Sequence, residues 1–309
     1  MAAIEASIII PTKNGATHLE EVLQMIYAQE YSKPFEVIVI DSGSTDCTLE
    51  IVKRYPVAKL LQIRPEDFGH GKTRNLGAEL ARGKYLVFLT QDAVPATDRW
   101  LCNLVGNLER PGVAGAYGRQ IPREGTNPME RFFLNTYYPA CPVVKSGKEG
   151  KTDIAGIFFS NANSAIRQEV FQKYPFSEDL IMSEDQEWAK RVLSIGYDIV
   201  YDPEAAVCHS HNYSLKAVFQ RYFDSGVSLG KFATREYSTG AFAGSGLKYV
   251  KEEMKFLAGN GYLKWIPYAV LYDLSKFAGV SLGRKEKYLP ATTKRRLSMH
   301  SYYWLIESK

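Results

Sequence analysis

Four short apolar runs, ASIIIPT (6–12), FEVIVIDSG (35–43), AKLLQI (58–63) and KYLVFLTQD (84–92), are rich in β-branched and aromatic residues. Between them lie HLEEVLQMIYAQ, TLEIVKRY and TRNLGAELARG, whose apolar residues recur at helical spacing. That β-α-β-α-β-α-β order leaves few folds open. Strands that are apolar on both faces must be covered on both, so the reading is α/β, a mainly parallel sheet flanked by helices with right-handed crossovers. Such a sheet places its ligand site beyond the carboxyl ends of the strands, where Thr12, Asp41 and Asp92 would sit.

The bulk of the chain excludes other classes. With 309 residues, 45% of them hydrophobic and 23% charged, it has the length and composition of a globular protein with a sizeable core. Cys47, Cys102, Cys141 and Cys208 form no CxxC pair, and are read as reduced thiols of a cytoplasmic protein. The start, MAAIEASIIIPT, lacks the pattern of a secretory leader, and no run of 18 apolar residues occurs, so neither secretion nor a membrane span is expected. Net charge is +4, but residues 246–309 hold 12 Lys+Arg against 5 Asp+Glu, or +7. This basic tail is either a solvated helical face or a surface attracted to anionic membranes; no nucleic-acid partner is expected.

The ligand class follows from the strand ends. The first strand runs into Pro11-Thr12-Lys13-Asn14-Gly15, which is not the G-x-G-x-x-G of a dinucleotide fold, and Gly71-Lys72-Thr73 lacks the upstream glycine of a P-loop. The second strand ends in IDSGSTDCT, where Asp41 can accept the imide N–H of a pyrimidine while Ser42 and Gly43 turn the chain beside the base. The same stretch also reads as a turn in which Asp46 caps the following helix.

IIIPTKN, VIVIDSGSTDCT, FGHGKTRNLGAELARGKYLVFLTQD and SEDQEWAKRVLSIGYDIVYDP together resemble a family 2 glycosyltransferase of the GT-A fold, and the QDA and HGKTRN variants are similar to bacterial rhamnosyltransferases. The resemblance spans roughly residues 5–235. It implies inverting transfer of a sugar from a nucleotide diphosphate donor, with Mg²⁺ or Mn²⁺ on the diphosphate. It places donor contacts at Pro11, Thr12, Asn14, Asp41, Ser42, Gly43, Gln91 and Asp92, and suggests L-rhamnose from dTDP-L-rhamnose, UDP-sugars second. One departure stands out. Where the family carries D-x-D, this chain has Thr90-Gln91-Asp92, with only the last acid kept. A diphosphate brings its own oxygen ligands, so one carboxylate can suffice; the further ligand that the resemblance suggests is His209 in VCHSHNYS, with His211 as the alternative.

Inverting transfer also needs a base for the acceptor hydroxyl. Glu184-Asp185 lies where the family's E-D motif falls, implying Asp185 as base and Glu184 as an acceptor-hydroxyl contact; acids opening a helix behind a Ser183 cap are the structural alternative. Asp153 and Asp179 are the next candidates for the base. Lys72, Arg74 and Asn75 could reach phosphate or ribose, or be surface groups on a helix's first turn. Asn161, Asn163 and Trp188 are the expected acceptor contacts, against a reading of the two asparagines as satisfied core amides.

The organisation expected is a GT-A domain over 1–235, with a nucleotide-sugar half to about 110 and an acceptor and catalytic half over 111–235, followed by basic amphipathic helices over 236–309. Residues 119–153 read as a long loop with a short helix around MERFFLNTYY. The tail suggests peripheral attachment at the inner face of the cell membrane, near a polyprenyl-linked saccharide acceptor, with a homo-oligomer contact as runner-up. A sugar-1-phosphate nucleotidyltransferase would need a G-x-G-[TS]-R loop that IIIPTKNG does not offer, and a non-catalytic nucleotide-sugar-binding protein leaves the Glu184-Asp185 pair unexplained.

Overall fold

In the computed structural model, which describes residues 3–149, 156–232 and 239–306, the first part of the chain runs β1 (Ala6–Thr12), α1 (Leu19–Tyr27), β2 (Phe35–Asp41), α2 (Thr48–Lys53), β3 (Lys59–Gln62), α3 (His70–Leu80), β4 (Tyr85–Leu89), β5 (Val94–Pro95), α4 (Trp100–Gly106) and β6 (Val113–Ile121). Then come α5 (Pro128–Tyr137), β7 (Val143–Lys145), β8 (Asn163–Arg167), α6 (Gln168–Lys173), α7 (Glu184–Ser194) and β9 (Asp198–Cys208). The remainder is helical: α8 (Leu215–Phe232), α9 (Thr239–Gly259), α10 (Ile266–Gly283), α11 (Ala291–Leu297) and α12 (Tyr303–Ile306). Contacts divide the chain into two units. One comprises Met1–Arg123, Tyr137–Glu178 and Glu184–Ser210; the other comprises Glu124–Thr136, Asp179–Ser183 and His211–Lys309.

The first unit is built on one sheet of order β3-β2-β1-β4-β8-β6-β9-β5, with β7 paired to β9. β1 lies parallel to β2 and β4, β2 to β3, and β6 to β9, so the apolar runs form the parallel sheet expected of them. Ile8, Ile9, Ile10, Val37 to Ile40 and Leu86 to Leu89 are buried, as strands covered on both faces must be. β8 departs from the pattern: it runs antiparallel between β4 and β6. Its amino end therefore lies beside the carboxyl ends of its neighbours. Thr12 pairs with Asp41, Leu89 with Asn163 and Ile121 with Cys208, which brings the ends of five strands and the start of a sixth to one rim.

The stretch read as a loop from residue 119 begins inside β6, whose glycines hide the strand pattern, and it holds α5, as expected, and β7. Asp153 lies outside the described residues. The second unit has its own cores. One is formed by Met129, Val218, Leu257, Ala269 and Tyr272, and another by Ile181, Met182, Phe223, Val227 and Trp304.

Asn163 shows how the first unit is tied together. Its amide nitrogen donates to Ala205 O at 2.7 Å, its oxygen accepts the Trp100 indole N–H at 2.8 Å, and no surface is exposed. Trp188 is likewise fully buried, donating its indole N–H to Tyr174 O at 2.9 Å. Neither presents anything to an acceptor, so their expected roles there give way to packing β8 against α4 and β9 and α7 against the sheet. Asn163→Ala would strand an indole N–H and a carbonyl in the core, at a cost of about 2 to 4 kcal/mol. Urea unfolding should show that loss as a lower midpoint with unchanged slope.

Candidate active site

At the ends of β1 and β2 two loops brace each other. Asp41 is fully buried; its Oδ2 accepts the N–H groups of Gly43 and Ser44 at 3.0 Å, and its Oδ1 accepts the hydroxyls of Ser44 and Thr12. Four donors match the acceptor capacity of a carboxylate. Two of the four are hydroxyls, of Ser44 and Thr12, which can rotate away where the backbone N–H groups cannot. Gly43 holds a φ of 85°, and a Cβ there would meet Pro65 Cγ at 2.8 Å, so only glycine closes this turn. Ser42 donates N–H and hydroxyl to Thr12 O at 2.9 and 3.1 Å. Asn14, at φ 50°, accepts Thr45 N–H at 2.8 Å. Gln91 accepts Lys13 N–H at 2.9 Å and donates to Lys13 O at 3.0 Å, locking the loop after Pro11 and Thr12 onto the end of β4. Asp46 accepts the N–H groups of Thr48 at 3.1 Å and Ala16 at 3.2 Å; the N-cap position of α2 is the next residue, Cys47, whose side chain makes no capping bond.

Beyond β4, Asp92 faces His209, with Oδ1 and Nε2 3.5 Å apart. Gln120 reaches Tyr138 Oη and Ser160 Oγ with its amide nitrogen, and its oxygen stands 2.7 Å from His209 Nδ1. A histidine held through one ring nitrogen, with the other beside a carboxylate, is a usual arrangement of a metal ligand. Asp92 and His209 thus form a possible Asp/His metal site, whose donor set suits a divalent ion that takes oxygen and imidazole. His211 follows two residues on, where the second unit begins. Thr90, which replaces the family's first acid, has a buried hydroxyl with no hydrogen-bond partner.

Arg123 adds positive charge to this corner. Its guanidinium donates to Asp92 O and stands 3.2 Å from His18 Nδ1. Burial, and then Arg123, lower the proton affinity of His18. No motif marked Arg123, His18 or Gln120, and only the fold brings them to Asp92.

The carboxylates of α7 take different roles. Glu184 is buried; its Oε1 accepts Arg74 Nη1 at 3.0 Å and Asn161 Nδ2 at 3.1 Å, so it is directed inward rather than toward an acceptor. Asp185 keeps a partly accessible edge, with Oδ2 accepting Asn161 N–H at 3.1 Å and Oδ1 accepting Gln186 N–H at 2.8 Å. Burial, then the neighbouring Glu184 charge, push its carboxyl up to about 7. Ser183, just before the helix, holds a φ of 63° instead of the extended backbone of an N-cap. Arg74 and Asn75 are buried as well, and Asn75 brackets Phe176 through its N–H (3.1 Å) and O (3.0 Å). Those two leave the surface reading, and their donors serve the segment leading to α7; Lys72 remains half exposed on the first turn of α3. Segment 160–163 joins both halves of the site. Ser160 holds Gln120, Asn161 holds Asp185 and Glu184, and Ala162 O accepts Thr90 N–H at 3.3 Å.

The chain is similar to known proteins. The family described as glycosyl transferase family 2 matches residues 7–174. The chain is 37% identical over 306 residues to the O-antigen chain rhamnosyltransferase RfbN of Salmonella typhimurium, covering 97% of this chain and 96% of that one. It is 36% identical over 303 residues to the O-antigen chain rhamnosyltransferase WbaN of Salmonella anatum, covering 96% and 95%. Among solved structures it resembles the mannosyltransferase PcManGT of Pyrobaculum calidifontis in complex with GDP-Man and Mn²⁺, with a TM-score of 0.57, 20% identity and coverage of 99% and 87%. A second is S. aureus TarS in complex with UDP, with a TM-score of 0.55, 17% identity and coverage of 92% and 91%. The two structures carry the GT-A fold to this chain, and the match over residues 7–174 with near full-length identity to two transferases carries the rest: the chain belongs to glycosyltransferase family 2.

Proposed function

We propose that the chain transfers L-rhamnose from dTDP-L-rhamnose, with inversion, to a hydroxyl of a saccharide acceptor during assembly of a bacterial cell-surface polysaccharide. The observation that carries this reading is Asp185, a partly accessible carboxylate of raised proton affinity, fixed by two backbone N–H groups and linked through segment 160–163 to the strand ends. Its full-length likeness to two O-antigen chain rhamnosyltransferases supports the choice of sugar.

In this reading Pro11, Thr12, Asn14, Asp41, Ser42 and Gly43 cradle the base and ribose, with Gln91 bracing the loop. Asp185 takes the proton of the acceptor hydroxyl as its oxygen bonds to the anomeric carbon. The bond to the diphosphate oxygen breaks, and the nucleoside diphosphate leaves with the electron pair. Asp92 and His209 would hold a divalent cation, Mg²⁺ or Mn²⁺, which when bound would supply positive charge to the leaving diphosphate; His211 is the next candidate along the chain. Arg123 and Lys72 add to that charge. Glu184 positions Asn161 and Arg74 and raises the proton affinity of its neighbour. Residues to about 110 serve the donor, joined at its diphosphate by Arg123 and His209; those from 111 to 235 otherwise serve the acceptor and the chemistry, and the helices beyond extend them. The acceptor is carried on a polyprenyl lipid at the inner face of the cell membrane, which keeps the enzyme cytoplasmic; a homo-oligomer is compatible with this.

Three outcomes are expected. In a nucleotide-sugar panel dTDP-L-rhamnose should be preferred over UDP-sugars, and Asp41→Ala should weaken dTDP binding by about 1 to 3 kcal/mol in calorimetry; unchanged affinity would remove Asp41 from the donor site. EDTA should abolish turnover and Mg²⁺ or Mn²⁺ restore it, while Asp92→Asn loses most activity even with metal present; full turnover in chelator would count against the cation. Asp185→Asn should lower turnover by about 10² to 10⁴ with donor affinity and melting temperature retained. Because the base works ionised and its affinity for a proton is raised, wild-type turnover should climb with pH through about 7 and level off above it. That limb should vanish in the variant.

A further inference from the structure

We infer that the outer face of α10 is a lipid-docking surface, which seats the second unit on an anionic membrane. Every exposed residue of this helix is apolar: Pro267, Val270, Leu271, Leu274, Phe277 and Leu282. At 100° per residue they fall in one arc of about 140°, a continuous stripe rather than a scatter. Leu271 is 52% exposed and Leu274 58%, and their contiguity, not their number, sets them apart from the single apolar residues common on protein surfaces. The helix carries two charged residues, and both avoid the stripe. Asp273 and Lys276 pair with each other at 3.0 Å, with side chains only 10% and 13% exposed.

The stripe has no way to turn inward. α10 is packed on α8 backbone to backbone, since a Cβ at Gly279 would meet Phe219 O at 2.6 Å and one at Gly283 would meet Phe223 O at 2.1 Å. Ala269, Tyr272 and Val280 fill the same inner side. A helix that is apolar on both sides, with one side already committed to protein, has its other side suited to an apolar medium. Among the described residues no helix is long and apolar enough to cross a membrane, so the face would lie in the interface and not span it.

Charge decides the occupant. Lys264 and Lys285 are exposed and continue the arc at its two ends, with Lys287 exposed just beyond. α9 of the same unit exposes Lys248 and Lys251, along with Lys255, which pairs with the exposed Glu252 at 2.8 Å. Long basic side chains flanking an apolar stripe can lay their methylenes along the acyl boundary while their ammonium groups meet phosphate headgroups. A second copy is the weaker occupant. Two such stripes face to face, parallel or antiparallel, would set Lys264 and Lys285 against lysines of the same sign.

This goes beyond the proposed transfer reaction, because it assigns a surface outside the residues of the candidate site, and it is tested without turnover. The full chain is mixed at low salt with vesicles of phosphatidylglycerol and phosphatidylcholine, or of phosphatidylcholine alone, and sedimented. Binding to the anionic vesicles should exceed binding to the neutral ones, and Leu271→Glu with Leu274→Glu should lower it at least tenfold at an unchanged melting temperature. Lys264→Glu with Lys285→Glu should remove the preference for the anionic lipid. Transfer to a water-soluble acceptor, followed in parallel, should be unaffected by either pair; its failure in the wild type would count against the proposed reaction and not against docking. Wild-type protein that ignores anionic vesicles, or a leucine pair that binds them as the wild type does, would overturn the proposal. So would a dimer in sedimentation velocity that the leucine pair dissolves while vesicle binding persists.

Discussion

The reversed direction of β8 is the constraint on which the site rests. In an all-parallel sheet the rim collects only carboxyl ends, and each loop leaves toward a helix. With β8 antiparallel between β4 and β6, its incoming segment, residues 160–163, arrives at that rim as a chain of backbone donors and acceptors. Thr90, Gln120 and Asp185 all bond to it. The elements bearing the loops after β1 and β2, the Asp92–His209 pair and the carboxylates of α7 are thus indexed to one short segment, and its own position is held from beneath by Asn163 among Trp100 and Ala205.

Electrostatics at the start of α7 follow from that indexing. A buried Arg–Glu pair contributes little net stability, because desolvation offsets much of the attraction, but it fixes where the charges lie. Arg74 and Glu184 do so here. Glu184 stays inside, satisfied by Arg74 and Asn161, and its negative charge adds to burial in raising the proton affinity of Asp185. Two adjacent carboxylates are thereby given different tasks by their surroundings: one orients, the other is left able to exchange a proton near neutral pH.

The helical unit follows another logic. Its inner contacts resemble those of any packed bundle, with glycines where α8 and α10 touch and Lys276 paired with Asp273. The outer face of α10 breaks the usual rule that charge faces water. A stripe without charge, ended by lysines, is consistent with a unit that reaches its final environment only against a surface.

Much was legible in the sequence. Strand and helix periods are local properties, repeating every two or 3.6 residues, so the four parallel strands, their covering helices and the strand ends at Thr12, Asp41 and Asp92 could be read directly. So could the turn at Asp46, which acts on a residue two positions away. Tertiary structure alone decided the rest. The direction of β8, the inward turn of Glu184 toward Arg74 across 110 residues, and the Gln120 contact that orients His209 across 89 residues arise between segments with no shared local pattern. A polar side chain has the same identity whether it caps a turn, holds a core together or meets a ligand. Which of these it does depends on the partners that folding brings within about 3 Å, and those partners are set by the packing of the whole sheet.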